Sequence, residues 1–197
     1  MTRDSETLRV YGGFAADYAA MMDTQSDDPQ LAAFIGGVRQ GGHVLDLGCG
    51  PGWAAARMVT AGLTVDATDA VPEMVELASA QPGVSARLAT FDDISGNDQY
   101  DGIWANFSLL HAPRTDLPRH LAALRATLKS GGLFHIGMKT GKGEKRDRLG
   151  RLYTYVDAEE LHALLYDAGF SPFSSRTGRD KGMAGQVEDW ITMAAHG

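Results

Sequence analysis

A short β run that empties directly into a glycine turn constrains this chain more than any other feature: Val44-Leu45-Asp46-Leu47-Gly48-Cys49-Gly50-Pro51-Gly52, with helical sequence from residue 53. Strand, glycine turn and helix in that order bring helix-start amides close to whatever lies beyond the strand, because residues without a Cβ permit the approach. The turn reads either as a plain tight connection or as a ligand cradle. A dinucleotide fingerprint would need glycine at position 53, where Trp53 stands; its indole would block pyrophosphate approach and close helix–strand packing. No Lys-Ser or Lys-Thr follows the glycines, so a phosphate-cradling loop is also excluded. As a cradle, the turn fits a nucleoside ligand without a pyrophosphate.

The remaining pattern alternates strands with helices. Helices are expected over 5–22 and 28–40, the second opened by Asp27-Asp28-Pro29 as a cap followed by a first-turn proline. Further helices are expected over 53–61, 71–80 and 115–128; in the last, Leu117, Leu121, Leu124 and Leu128 form a buried stripe that Gly131-Gly132 ends. Strands are expected over 43–47, 63–68, 84–90, 100–106 and 133–139. Asp157 with Glu160 three residues later reads as a capping box ahead of Leu161, Leu164 and Leu165. Runs 170–177 and 187–195, joined by a turn-rich link, suit an antiparallel hairpin. An α/β fold follows, with a mostly parallel sheet and ligands beyond the carboxyl ends of its strands. Without repeats or low-complexity tracts, 1–197 reads as one domain.

Composition narrows the function. A net charge of −7 argues against a general nucleic-acid binder. Cys49 is the only cysteine, so neither an internal disulfide nor a cysteine zinc site is available. Residues 1–18 lack an apolar signal core, and no stretch reaches the ~18 consecutive apolar residues of a membrane span. A cytoplasmic protein with no membrane partner is the expectation. No Asp, Glu or His cluster has metal-site spacing.

Asp69, in Ala67-Thr68-Asp69-Ala70-Val71-Pro72-Glu73-Met74, closes the second strand. It is placed to accept from ribose hydroxyls or to cap the following helix, and the two roles can coexist. With the glycine turn it makes a specific pair, and on that pair the chain resembles the class I S-adenosylmethionine-dependent methyltransferases acting on small molecules. The resemblance is strong over residues 43–140 and implies a Rossmann-like seven-stranded sheet, mostly parallel, with an antiparallel C-terminal strand hairpin. It also implies helices on both faces and a small N-terminal helical cap over 1–40, and S-adenosyl-L-methionine as cofactor. By resemblance, Gly48, Cys49 and Gly50 would lie along its methionine part and Asp46 would bind its ammonium. Asp69 would take the ribose, and Ala70, Val71 and Met74 would line the adenine. Where the family often has an acid for the adenine amino group, this chain has Thr90. The reading then falls to the Phe91 amide or to Asp92.

Asn106, Phe107 and Leu109 at the fourth strand's exit would wall the methyl-transfer site. Asn106-Phe107-Ser108-Leu109 lacks the paired prolines with which base-methylating relatives grip a flipped base, so nucleic acid is disfavoured as acceptor. His111 is placed either as general base or as a residue holding the next turn. Residues 139–151 hold six basic side chains against two acidic ones. They form either a solvated loop or a flap over 141–155 in which Arg146, Arg148 and Arg151 bind an anionic or polar acceptor, with Tyr153 and Tyr155 as hydrogen-bonding walls. Tyr11 and Tyr18, in the cap, would contact cofactor or acceptor, or pack on the sheet. The expected reaction is methyl transfer to O, N or S (a chalcogen included) of a small molecule, by a monomer or homodimer. The alternatives are a non-catalytic cofactor binder and a methylase of RNA or protein.

Overall fold

The structure, a computed structural model, describes residues 2–23 and 28–197. Asp27 of the predicted cap lies outside the described residues. Two short helices open the chain, α1 (Ser5–Gly13) and α2 (Ala15–Asp23), followed by α3 (Pro29–Gly37). The single helix expected over 5–22 divides at Phe14, after Gly12-Gly13, where helix propensity is lowest. Asp4 caps α1 through Thr7 N at 2.8 Å, and Asp28 caps α3 through Gln30 N at 2.8 Å.

The alternating core comprises β1 (His43–Leu47), α4 (Trp53–Thr60), β2 (Thr64–Asp69), α5 (Pro72–Ser79), β3 (Ser85–Leu88) and β4 (Tyr100–Ala105). After it come α6 (Leu117–Thr127), β5 (Leu128–Thr140), β6 (Glu144–Arg146), β7 (Leu152–Val156), α7 (Ala158–Asp167), β8 (Ser171–Lys181) and β9 (Val187–His196). Strands run β3-β2-β1-β4-β5 in parallel, so strand order reverses between β1 and β4. From Leu133 to Lys139, β5 pairs antiparallel with β9, which pairs with β8, giving the expected terminal hairpin. The sheet has nine strands rather than seven, because β5 runs long and its last residues, Lys139 and Thr140, pair with β7 of a small β6–β7 hairpin. Gly131 and Gly132 lie inside β5 instead of ending a helix. At α7 only half of the capping box forms: Asp157 accepts from Glu160 N at 2.9 Å, while the Glu160 carboxylate pairs with Arg114.

Alternate residues of each strand serve opposite faces. Val44, Val65, Ala67, Trp104 and Leu133 pack with Leu31 and Phe34 of α3 and Ala55 and Met58 of α4. Leu45, Leu47, Ile103, Ala105, Phe134 and Ile136 pack with α6, α7 and Tyr11 of α1. Helices on both faces bury the sheet and leave the carboxyl ends of β1, β2 and β4 as its chemical edge.

Candidate active site

The turn after β1 is tied to the end of β2: Gly48 N and Cys49 N both donate to Thr68 O, at 2.8 and 2.9 Å. Gly48 has φ of 73°, and a Cβ there would lie 2.5 Å from that of Ser108. Any larger residue would meet both a strained backbone and the exit of β4. Gly52, at φ 84°, starts α4.

Two carboxylates face this turn. Asp46 is 2% exposed, and its Oδ2 has no hydrogen-bond partner among the described residues. Burial and the neighbouring Asp69 charge push its pKa up to about 7, against a pull from the Ala55 backbone N–H. Asp69 is buried and uses both oxygens: Oδ2 accepts from Gly50 N and Oδ1 from Val71 N, each at 3.0 Å. Burial raises its pKa too, while those amides oppose the shift. Asp69 thus ties the glycine turn to the start of α5, where Ala70, Val71 and Met74 are buried. Burial and the two carboxylates hold the Cys49 thiol protonated.

Phe91 is buried, edge-on to His120 at 5.3 Å between centroids. Asp92 is ion-paired to Arg3 at 2.9 Å and to Arg119. At the end of β4, Phe107 adopts φ of 55°, uncommon for a bulky side chain, and its N–H donates to Gly137 O at 3.1 Å. Asn106 Oδ1 lies 3.0 Å from His135 Nε2, and that imidazole stacks on Trp104 at 3.8 Å. Leu109 is fully buried, and the buried Ser108 Oγ lacks a hydrogen-bond partner among the described residues.

The cap and the β6–β7 hairpin close over this edge. The Tyr18 ring stands 3.5 Å from where a Gly50 Cβ would be, and 5.8 Å from Tyr11 between centroids. Tyr11 Oη lies 2.8 Å from His111 Nε2, Arg151 Nη1 donates to Tyr11 Oη at 2.8 Å, and His111 Nδ1 lies 2.6 Å from Leu152 O. Burial lowers the His111 pKa to about 3, so the ring is neutral at ordinary pH. Each proton then has one place. Nδ1–H donates to the Leu152 carbonyl, the Tyr11 hydroxyl donates to Nε2, and Arg151 donates to the Tyr11 oxygen. Arg151, 2% exposed, is also paired with Asp147 at 2.7 Å. Arg146 turns outward, to Asp4 at 2.7 Å and Glu6 at 3.3 Å, fastening the hairpin to α1. Tyr153 is buried 4.7 Å from the His111 ring, with the Lys139 ammonium 4.0 Å above its own ring. Lys139 pairs with Glu188, which also accepts from Tyr155 Oη at 2.9 Å.

The structure therefore brings Asp46, Gly48, Cys49, Gly50, Asp69, Tyr18, Tyr11, His111, Arg151 and Tyr153 into one neighbourhood, while Arg146 and Asp92 are committed to surface ion pairs. Sequence reasoning missed Ser108, Asp147 and Glu188. Only Asp147 carried a local signal, its i,i+4 spacing to Arg151.

Residues 44–132 match a family model described as a methyltransferase domain. Across 95% of this chain and 87% of its own, the structure of Burkholderia thailandensis 1,6-didemethyltoxoflavin-N1-methyltransferase, with bound 1,6-didemethyltoxoflavin and S-adenosylhomocysteine, superposes with a TM-score of 0.71 at 26% identity. A Methanosarcina mazei S-adenosylmethionine-dependent methyltransferase shares the fold at TM-score 0.74 and 17% identity, over 86% of this chain and 97% of its own. So does a putative Haloferax volcanii methyltransferase in complex with the Trm112 activator, at 0.73 and 18%, over 96% of each chain. No curated protein matches the sequence. Residues 44–132 carry the match to a methyltransferase domain, and the chain as a whole shares the fold of S-adenosylmethionine-dependent methyltransferases. Its site fits that cofactor on its own evidence: an unpaired buried carboxylate oxygen at Asp46 suits an ammonium, and glycine at 48 keeps the cradle open.

Proposed function

We propose that this chain methylates an O, N or S atom of a small molecule by in-line displacement. The observation that carries the reading is the pair Asp46 and Asp69 across the glycine turn, roofed by Tyr11 and Tyr18 from the cap. S-adenosylmethionine, when bound, supplies an electrophilic methyl group on a sulfonium. Asp46 would hold its ammonium through the free Oδ2, and Asp69 its ribose. Ala70, Val71 and Met74 would pack the adenine. With Asp92 held by two arginines, adenine recognition falls to the Phe91 backbone. Gly48, Cys49 and Gly50 would leave room for the methionine portion, beside Asn106 and Leu109.

Alignment of the acceptor against that methyl group supplies much of the barrier reduction. His111 would orient Tyr11 toward the acceptor, because its Nε2 already takes the Tyr11 hydroxyl. Arg151 and Tyr153 fix the same oxygen and ring from the hairpin side. The net charge of −7 and the 1,6-didemethyltoxoflavin bound by the Burkholderia relative both support a small acceptor over nucleic acid. A cytoplasmic monomer or homodimer remains the proposed setting, and among the described residues no helix is long and apolar enough to cross a membrane.

Calorimetric titration tests the cofactor site: S-adenosylhomocysteine binds and NADH does not. An acceptor screen read by S-adenosylhomocysteine release, begun with phenols and 1,6-didemethyltoxoflavin, then separates an enzyme from a non-catalytic binder. Turnover only on RNA or protein would overturn the small-molecule reading.

A further inference from the structure

The basic segment 139–151 invites an anionic acceptor, yet its inward cations are already neutralised. Arg151 sits against Asp147, both nearly sealed from solvent at 2% and 3% side-chain exposure. Lys139 is held by Glu188, whose other oxygen takes the Tyr155 hydroxyl. Arg146 is drawn outward to Asp4 and Glu6, and Lys145 lies exposed over the Tyr155 ring. Across the site, the buried Asp46 and Asp69 offer carboxyl groups and no cation. The side chains packed among these groups are aromatic. Tyr11 and Tyr18 meet edge-on at 5.8 Å, Phe107 and Trp190 edge-on at 6.2 Å, and His111 and Tyr153 are tilted at 4.7 Å.

An anion entering such a site would lose its hydration and find both inward protein cations, Lys139 and Arg151, already paired. An uncharged ring would instead exchange water for aromatic faces and edges. Resting on the methyltransferase reading above, we infer that the acceptor is an uncharged aromatic or heteroaromatic ring bearing the reacting hydroxyl or N–H, and that the Lys139–Glu188 and Arg151–Asp147 pairs exclude anionic analogues.

The test uses the full chain saturated with S-adenosylhomocysteine, titrated calorimetrically with matched probes: 4-hydroxybenzamide against 4-hydroxybenzoate, and indole-3-carboxamide against indole-3-carboxylate. At least one neutral member is expected to bind about tenfold or more tightly than its anion, a difference of roughly 1.4 kcal/mol. Glu188→Gln, which frees the Lys139 ammonium, should erase that preference by strengthening the carboxylate member alone. Asp147→Asn, which frees Arg151, supplies a second variant should the first not fold. The inference is overturned if carboxylates bind as tightly as carboxamides, if no neutral probe binds, or if freeing either cation leaves the preference unmoved. Failure to bind S-adenosylhomocysteine at all would instead sink the cofactor reading.

Discussion

Asp46 is the residue whose environment says most about ligand binding. Its folded pKa of about 7 lies above its ordinary 3.8. Between those values the unfolded chain is ionised at this position while the cofactor-free folded chain is protonated. The contribution of Asp46 to stability therefore falls as pH rises through that window and is level above it. An ammonium ligand favours the ionised form, so binding should strengthen with rising pH up to about 7. Calorimetry at pH 6 in buffers of different ionisation heat should detect proton release on binding S-adenosylhomocysteine, and Asp46→Asn should abolish that release. Asp69→Ala should weaken the same binding by about 2–3 kcal/mol, or roughly 30- to 150-fold, as charged hydrogen bonds are lost. Gly48→Ala combines a left-handed backbone with the Ser108 clash; it should cost roughly 1–3 kcal/mol of stability, read by denaturant unfolding, and remove binding. These residues could be read from the sequence because they lie within one turn and one strand end.

The elements around them were less visible. Tyr11 and His111 stand 100 positions apart in the chain, and Tyr11 and Arg151 140 apart. No periodicity links such residues; they meet where α1 lies beside the turn at 109–111 and the start of β7, whose Leu152 N donates to Thr7 Oγ1 at 2.9 Å. The basic 139–151 segment reads as an anion-binding flap because, Asp147 apart, its carboxylate partners are dispersed, at Asp4, Glu6 and Glu188. Strand number was undercounted for a related reason: Lys139 and Thr140 continue β5 into pairing with β7, which glycine-rich flanking sequence disguised. At this scale the fastening of cap to hairpin is testable. Arg146→Ala should speed amide exchange in α1 and hasten S-adenosylhomocysteine dissociation. It should leave global stability nearly unchanged, since the pair lies at the surface.

In the whole molecule, two hydrophobic layers enclose one sheet, and the cofactor edge draws on both: Asp46 emerges beside Val44 on one face, Leu47 and Leu109 on the other. Ligation at that edge should therefore stabilise the fold as a unit. At a free S-adenosylhomocysteine concentration 100 times its Kd, about 2.7 kcal/mol is added, which should raise Tm by roughly 5–10 °C for a chain of this size. A calorimetric scan with NADH in its place should show no shift.

The two arginines that bind the hairpin to the cap differ in their access to water. Arg146 has 40% of its side chain exposed, Arg151 only 2%. Dissolved ions reach the first pair and screen it over a Debye length of about 8 Å at physiological ionic strength, but scarcely touch the second. Rising salinity should thus loosen the outer rim of the cap while its inner contact at Tyr11 stays fixed, so that the entrance widens without the cofactor floor coming apart.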